Sequence, residues 1–374
     1  MRTKQKRVVG LVVPNPKKTP DVIGRYIRRQ MQTKVNKVIF LFDSVSYSEF
    51  KRHFGGKISL EGLKRFNSNF PTGTYTAYPS IFFGVKTGRH GLVGTAYYSS
   101  KEDGLFSLMS DRVTDLDGNK ITDRRYKRDR SLHSFLEYSK SRPIFLSQDL
   151  GWLKTSLWDV ILLNSQRITI PLKGPEDKRD YDYELRALIK KAASMVEKKK
   201  PGLLCVFVDF DEPMHIFGVK SAKTQRLLKM CSSLIADMVK SNPNYDYFFV
   251  SDHGQIDQKN TKKLSVEHVK DKLYCSNGGV GRARYIYSKS EAVFEDIKRQ
   301  VGASGLVLKR SDPRLKRLFG FSPAKVDSIG NIIAVATSAS FPSHGWNWKA
   351  EHGGLSPEEI FIPFLHLKAK VRKS

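Results

Sequence analysis

Three aspartates in this chain stand at or just beyond the ends of apolar runs that are far apart in sequence, and two of them have a histidine within reach. Asp43 follows Val38-Ile39-Phe40-Leu41-Phe42, Asp211 comes shortly after residues 203–208 and four residues before His215, and Asp252-His253 follows Phe248-Phe249-Val250-Ser251. Carboxylate oxygens are hard ligands and imidazole nitrogens borderline ones, a mixed set that zinc accepts readily. Each has a plainer reading beside this one, since a strand-end aspartate commonly caps a helix or turn. Asp209 competes with Asp211 at the same strand end but lacks a histidine four residues on. His352 lies between Glu351 and Gly353-Gly354, where glycine lets backbones approach closely, and taken alone it is a weak ligand signal. Thr74, in Phe70-Pro71-Thr72-Gly73-Thr74, precedes a stretch to Phe83 that can begin a helix. Beside a cation and at the positive end of a helix dipole its hydroxyl would be a nucleophile; as an N-cap it would only satisfy the backbone. The chemistry open to such a set is cation-assisted displacement at phosphorus.

Such residues need a scaffold that carries distant segments to one edge, and open α/β sheets do this at the carboxyl ends of their strands. Strand-like runs recur at residues 37–42, 143–147, 203–208, 247–250 and 331–337. Between them, residues 184–198 place Leu185, Leu188, Ile189, Ala192, Met195 and Val196 on one helical face, and residues 224–240 repeat the pattern with Leu227, Leu228, Cys231, Leu234, Ile235 and Met238. Strands alternating with helices of this length predict an α/β fold with a doubly wound, mostly parallel sheet. Residues 1–36 read as a basic extension with one helix around residues 22–32, and residues 37–370 as a single catalytic domain. Residues 96–142 read as loops over the sheet edge. Residues 260–330, with a strand at 283–287 and a helix at 290–301, read as a small cap-like insertion.

Composition narrows the class. Hydrophobic residues at 40% with 27% charged suit a soluble globular protein, and no apolar stretch approaches the roughly 18–20 residues that span a bilayer. The apolar run after the basic N-terminus ends at Pro14, short for a signal sequence, so a cytoplasmic location and no membrane partner are expected. Cys205, Cys231 and Cys275 form no C-x-x-C pair and read as buried apolar residues. The net charge of +28 favours anionic partners, nucleic acid among them, although no DNA-binding motif accompanies the basic runs. No G-x-S-x-G elbow, G-x-x-x-x-G-K-[ST] loop or H-E-x-x-H is present.

Taken in order, the segments resemble the alkaline phosphatase superfamily, and within it the nucleotide pyrophosphatase/phosphodiesterase-like family. Phe70-Pro71-Thr72-Gly73-Thr74 through Gly84 to His90-Gly91-Leu92-Val93-Gly94 is similar to the family's nucleophile segment. Asp43 is similar to its early strand-end aspartate, Asp211 with His215 to its D-x-x-x-H, and Asp252-His253-Gly254 to its D-H-G. His352-Gly353-Gly354-Leu355-Ser356-Pro357-Glu358-Glu359 is similar to its late H-G-G-x-S-P-E-E. Gly281-Arg282-Ala283-Arg284 and Ser328-Ile329-Gly330-Asn331 look similar as well, and the resemblance spans roughly residues 37–368.

The resemblance implies two divalent metal ions, zinc by family habit with manganese as the alternative for an all-O/N ligand set. It assigns Asp43, Thr74, Asp252 and His253 to one ion and Asp211, His215 and His352 to the other. It implies Thr74 as nucleophile through a phospho-threonine intermediate, acting on a phosphate diester or nucleotide. A phosphomonoesterase or other phosphoryl hydrolase of the superfamily, and a nucleic-acid-binding protein with a vestigial site, are the alternatives. Thr95 stands where eukaryotic-type members carry an asparagine that holds phosphoryl oxygens, which puts substrate preference in question; Tyr75 is placed to flank the leaving group. A sulfatase is disfavoured, because Thr74-Tyr75-Thr76-Ala77-Tyr78 offers no Cys or Ser nucleophile.

Overall fold

A computed structural model describes residues 14–175, 178–198, 201–259, 262–342 and 347–370. The apolar run before Asp43 forms the strand Lys37–Asp43, buried at every position. A strand with no solvent face belongs inside a sheet covered on both sides. It is the middle of seven strands, in the order Lys64–Asn67, Phe361–Leu367, Asp246–Ser251, Lys37–Asp43, Leu203–Asp209, Ile144–Gln148 and Gln166–Ile170. The four pairings from Asp246–Ser251 through Gln166–Ile170 are parallel. Phe361–Leu367 runs antiparallel to both its neighbours. Phe42 is in register with Ser251, and Asp43 with Asp209, so three carboxyl ends finish at one edge.

Alternation along the central strand builds two cores. Ile39 and Leu41 join Phe207, Phe248 and Val250 under the helices Pro20–Gln30 and Thr74–Phe83, whereas Val38, Phe40 and Phe42 join Val206 and Phe249 under Tyr47–Phe54, Tyr181–Glu197 and Ala222–Ser241. Helices therefore cover both faces, as a doubly wound sheet requires. Each of these fully buried Ile, Leu, Val and Phe side chains contributes about 1.5–3 kcal/mol.

Two expectations need correction. The helix in the basic N-terminal segment is not an appendage. Ile23 and Ile27 are fully buried, and a side chain at Gly24 would come within 2.1 Å of the Ile81 carbonyl oxygen, so glycine is what lets this helix seat against Thr74–Phe83. Residues 1–13 of that segment lie outside the described residues.

The excursion is also larger than a small cap. Residues 96–142, expected as loops, supply the strands Ala96–Ser99, Gly104–Ser107, Arg112–Thr114 and Lys120–Asp123. These join Cys275–Val280, Ala283–Tyr287, Ile332–Ala336 and Gly305–Lys309 in one eight-stranded antiparallel sheet. The run near 331–337 is thus a strand, but of this second sheet. Strands of three to six residues leave little periodicity to read, and the two halves, far apart in sequence, meet through the pairing Gly279↔Ala96. One face of the second sheet shares the main core through Tyr97, Phe106, Tyr285 and Val335. Ile286, Ile332 and Ala334 on the other face pack with Val293 and Ile297 of the helix Glu291–Val301. Among the described residues no helix is long and apolar enough to cross a membrane.

Candidate active site

The carboxyl edge of the parallel strands gathers two groups of side chains. Asp43, Asp252 and His253 form one and Asp211, His215 and His352 the other, each with donor atoms within 4.8 Å of one another. Strand ends deliver Asp43 and Asp252. Asp211 and His215 lie one turn apart on the helix Asp211–Phe217. In the first group His253 Nε2 is 3.4 Å from both Asp43 Oδ1 and Asp252 Oδ2. In the second, His215 Nε2 is 3.1 Å from Asp211 Oδ2, and His352 Nε2 is 3.5 Å from Asp211 Oδ1. Asp211 keeps 23% of its side chain exposed, so the cleft reaches solvent on its side. Asp209 turns away to accept from the amides of Asp211 and Glu212, which satisfies two of the free N–H groups in the first turn of that helix from a position before its N-cap residue Phe210.

Thr74 begins the helix Thr74–Phe83, whose N-cap position is Gly73. Its hydroxyl is therefore not spent as a cap. Oγ1 lies 3.4 Å from Asp43 Oδ1 and 3.3 Å from His253 Nε2, facing the first group. Tyr75, next in the helix, is buried with its ring 6.1 Å from that of Trp152. Thr95 is half-buried, and its backbone bonds Gly279 and Leu108; among the described residues its hydroxyl makes no hydrogen bond to either group.

The three histidines share one orientation. His215 Nδ1 donates to the Ala350 carbonyl at 2.8 Å, His352 Nδ1 to the Thr72 carbonyl at 2.8 Å, and His253 Nδ1 is 3.2 Å from the Gly254 carbonyl. A carbonyl only accepts, so a proton sits on Nδ1, and Nε2 is the nitrogen that faces the carboxylates and offers its lone pair when it carries no proton. That is how imidazole is held for a metal. Asp43 Oδ2 and Asp252 Oδ2 are buried without a hydrogen-bond partner among the described residues. Orphaned carboxylate oxygens are costly, and a divalent cation is a partner of the right charge and hardness. The residues present fit two such ions.

Electrostatics follow from this crowding. Burial, then Asp252 and Asp211, push the Asp43 carboxyl well above its usual range, and burial lifts Asp252 to about 8. Burial also acts to raise Asp211, but His215 and His352 outweigh it and hold that carboxyl well below the usual range. His215 rises to about 9 because Asp211 overcomes the effect of burial. Burial and the neighbouring His352 push His253 well below a normal imidazole.

The late glycine-rich segment works as scaffold. Glu359 caps its short helix reciprocally with Ser356, and its Oε1 accepts from the Gly354 amide at 2.8 Å and from Arg282 Nε at 3.0 Å. The Arg282 amide donates to the His352 carbonyl, which fixes the loop that carries this histidine. Gly353, at φ 116°, turns that loop where a side chain would meet the Val280 carbonyl at 2.3 Å.

Sequence reasoning missed three neighbours of the site. Ser44 and Gln255 contact Asp211, and the Trp348 ring stacks on His215 at 3.9 Å. Ser44 and Gln255 abut the aspartate and D-H-G segments, and that adjacency was the available signal.

Known proteins bear on this geometry. No curated protein sequence matches the chain. Murine ectonucleotide pyrophosphatase/phosphodiesterase 5, an inactive variant in complex with AMP, is similar in structure with a TM-score of 0.60 at 15% identity, covering 91% of this chain and 89% of that one. Phosphonoacetate hydrolase from Sinorhizobium meliloti 1021, in complex with phosphonoacetate, gives 0.61 at 13% identity, covering 91% and 92%. The human ectonucleotide pyrophosphatase/phosphodiesterase 5 gives 0.59 at 13%, covering 89% and 88%. At these identities the likeness is one of fold. The family model for type I phosphodiesterase/nucleotide pyrophosphatase matches residues 38–354, a stretch that holds both side-chain groups and Thr74. The chain belongs to the type I phosphodiesterase/nucleotide pyrophosphatase family and is a phosphoric ester hydrolase of the alkaline phosphatase superfamily.

Proposed function

We propose that the protein is a phosphodiesterase or nucleotide pyrophosphatase that uses Thr74 as its nucleophile and two divalent cations, zinc or manganese, as cofactors. The observation that carries this reading is the position of Thr74 Oγ1, at a helix N-terminus and within 3.4 Å of both Asp43 Oδ1 and His253 Nε2. Asp43, Thr74, Asp252 and His253 would hold one cation and Asp211, His215 and His352 the other. When bound, such ions lower the pKa of a coordinated hydroxyl or water and neutralise developing charge on phosphoryl oxygens.

The chain's own groups set the course of the reaction. Thr74 Oγ bonds to phosphorus while the bond from phosphorus to the leaving oxygen breaks, giving a phospho-threonine, and the hydroxyl proton passes to the departing oxygen. Water then displaces Oγ from phosphorus, releases the phosphoryl product and returns a proton to Thr74. The helix Thr74–Phe83 points its N-terminus at the developing anion. The charge of +28 favours anionic substrates, from nucleotides to the diesters of nucleic acid. Complexes of structurally similar proteins with AMP and with phosphonoacetate suit a nucleotide or phosphonate panel as the first screen.

The test is hydrolysis of bis-p-nitrophenyl phosphate, p-nitrophenyl phosphate and nucleotide polyphosphates by purified protein supplied with zinc or manganese. Turnover of diesters above monoesters, lost in Thr74→Ala, supports the reading. A monoester preference would reassign the substrate class, and no turnover of any ester would overturn the proposal.

A further inference from the structure

Ser44 follows Asp43 directly and is fully buried, and its backbone is at φ 69°, a region that residues with a side chain rarely occupy. Its groups reach ligands of both sets. The amide donates to Asp252 Oδ1 at 3.2 Å, and the hydroxyl lies 3.2 Å from His253 Nδ1; both belong to the nucleophile's set. The same hydroxyl donates to Asp211 Oδ1 in the other set. Its single proton goes to the carboxylate, so its lone pairs are left for the His253 Nδ1–H and for the Gln255 amide nitrogen at 3.1 Å.

Gln255 completes the arrangement. Its Nε2 donates to Asp211 Oδ1 at 2.6 Å and to the Asp211 carbonyl at 3.0 Å. Asp211 Oδ1 therefore carries two donors, which leaves Oδ2 as the oxygen turned toward His215. One hydroxyl thus braces the His253 ring, whose tautomer the Gly254 carbonyl sets, and the rotation of Asp211 together.

We propose that Ser44, supported by Gln255, is a positioning residue that couples the two cation sites, so that an ion held by either set orders the ligands of the other. The inference rests on the two-cation reading above. It concerns residues that need not touch substrate, and it explains a serine at a backbone conformation that glycine would adopt without strain.

The test is zinc titration of the metal-free full chain by competition with a chromophoric chelator, on wild type, Ser44→Gly and Gln255→Leu. Glycine suits the left-handed conformation and removes the hydroxyl with its single carbon; Gln255→Leu removes the second donor at a different backbone position and serves if the first variant does not fold. Wild type is expected to take up two ions cooperatively. Each variant should still bind two, with the weaker ion held about 10-fold less tightly or worse and the cooperativity gone. At low zinc kcat should fall with KM for the ester unchanged, and excess zinc should restore it, which a merely structural role would not produce. If wild type binds two ions and the variants titrate as it does, the coupling is overturned and the two-cation reading stands. If wild type binds no divalent ion, the two-cation reading itself fails and the coupling fails with it.

Discussion

His253 and His352 stack with ring centroids 4.0 Å apart and planes 25° apart, although they belong to different ligand groups. The His352 ring is also tied by its Nδ1 to the Thr72 carbonyl, two residues before Thr74. The second group is thus bonded to the turn that leads into Thr74. Replacing His352 with Ala removes a ligand, a stacking partner and this tie together. The expected result is loss of one metal equivalent and a fall in kcat/KM beyond the roughly 10–100-fold that outer-sphere partners cost. Metal analysis and steady-state kinetics on one preparation check it, and an unchanged metal content would remove His352 from the site.

Thr74→Ala should abolish turnover while the melting temperature and most of the bound metal are retained, because the hydroxyl faces the cleft and caps nothing. Thr74→Ser keeps the attacking oxygen and should keep measurable activity. Thr76 would be the next hydroxyl along, but it donates to the Pro71 and Gly73 carbonyls inside the turn and is buried. Activity surviving in Thr74→Ala would move the nucleophile elsewhere.

The parallel core and the strand-end aspartates were legible in the sequence because buried strands are continuous apolar runs and the chemistry sits at their ends, whereas Thr74 and His352 were marked by the family resemblance. Asp43, Asp211 and Asp252 each follow such a run closely. The second sheet was not legible, since Arg112–Thr114 and Lys120–Asp123 are short and largely solvated, and their partners are fixed by pairing across long sequence separations. The burial of Arg282 against Glu359 was equally hidden, because a charged residue carries no sequence mark of the partner that lets it be buried.

Metal binding should release protons, and the sign follows from the groups involved. His215 in the metal-free fold titrates near 9, above an ordinary imidazole, so its contribution to stability is complete below about 6.5 and is lost as pH rises through 9. Asp252, lifted to about 8, likewise favours the fold when protonated and disfavours it increasingly up to pH 8. Asp211, held low, acts oppositely, its contribution present above about 3.8 and lost on acidification. Chelator-treated protein should therefore melt lower at about pH 9 than at about pH 7, and added zinc should narrow the gap. Calorimetric titration of zinc near neutral pH in buffers of different ionisation enthalpy should show net proton release; heats independent of the buffer would contradict the protonation of His215 and Asp252.

Arg282 and Glu359 are both buried and lie 3.0 Å apart, and the arginine amide and the glutamate oxygen hold the His352–Gly354 loop from two sides. Removing one member leaves an uncompensated charge in the interior. Glu359→Ala should thus cost about 3–5 kcal/mol in urea unfolding and should weaken the metal that His352 would share. Arg282→Met with Glu359→Leu removes both charges and should recover much of the stability, since well-packed apolar replacements of a buried pair are commonly tolerated. It would not restore the hydrogen bond that Glu359 accepts from the Gly354 amide. The double variant should therefore separate the two roles: near-normal unfolding free energy with metal affinity still reduced. A double variant as tight for zinc as wild type would show that the pair stabilises the fold without positioning His352.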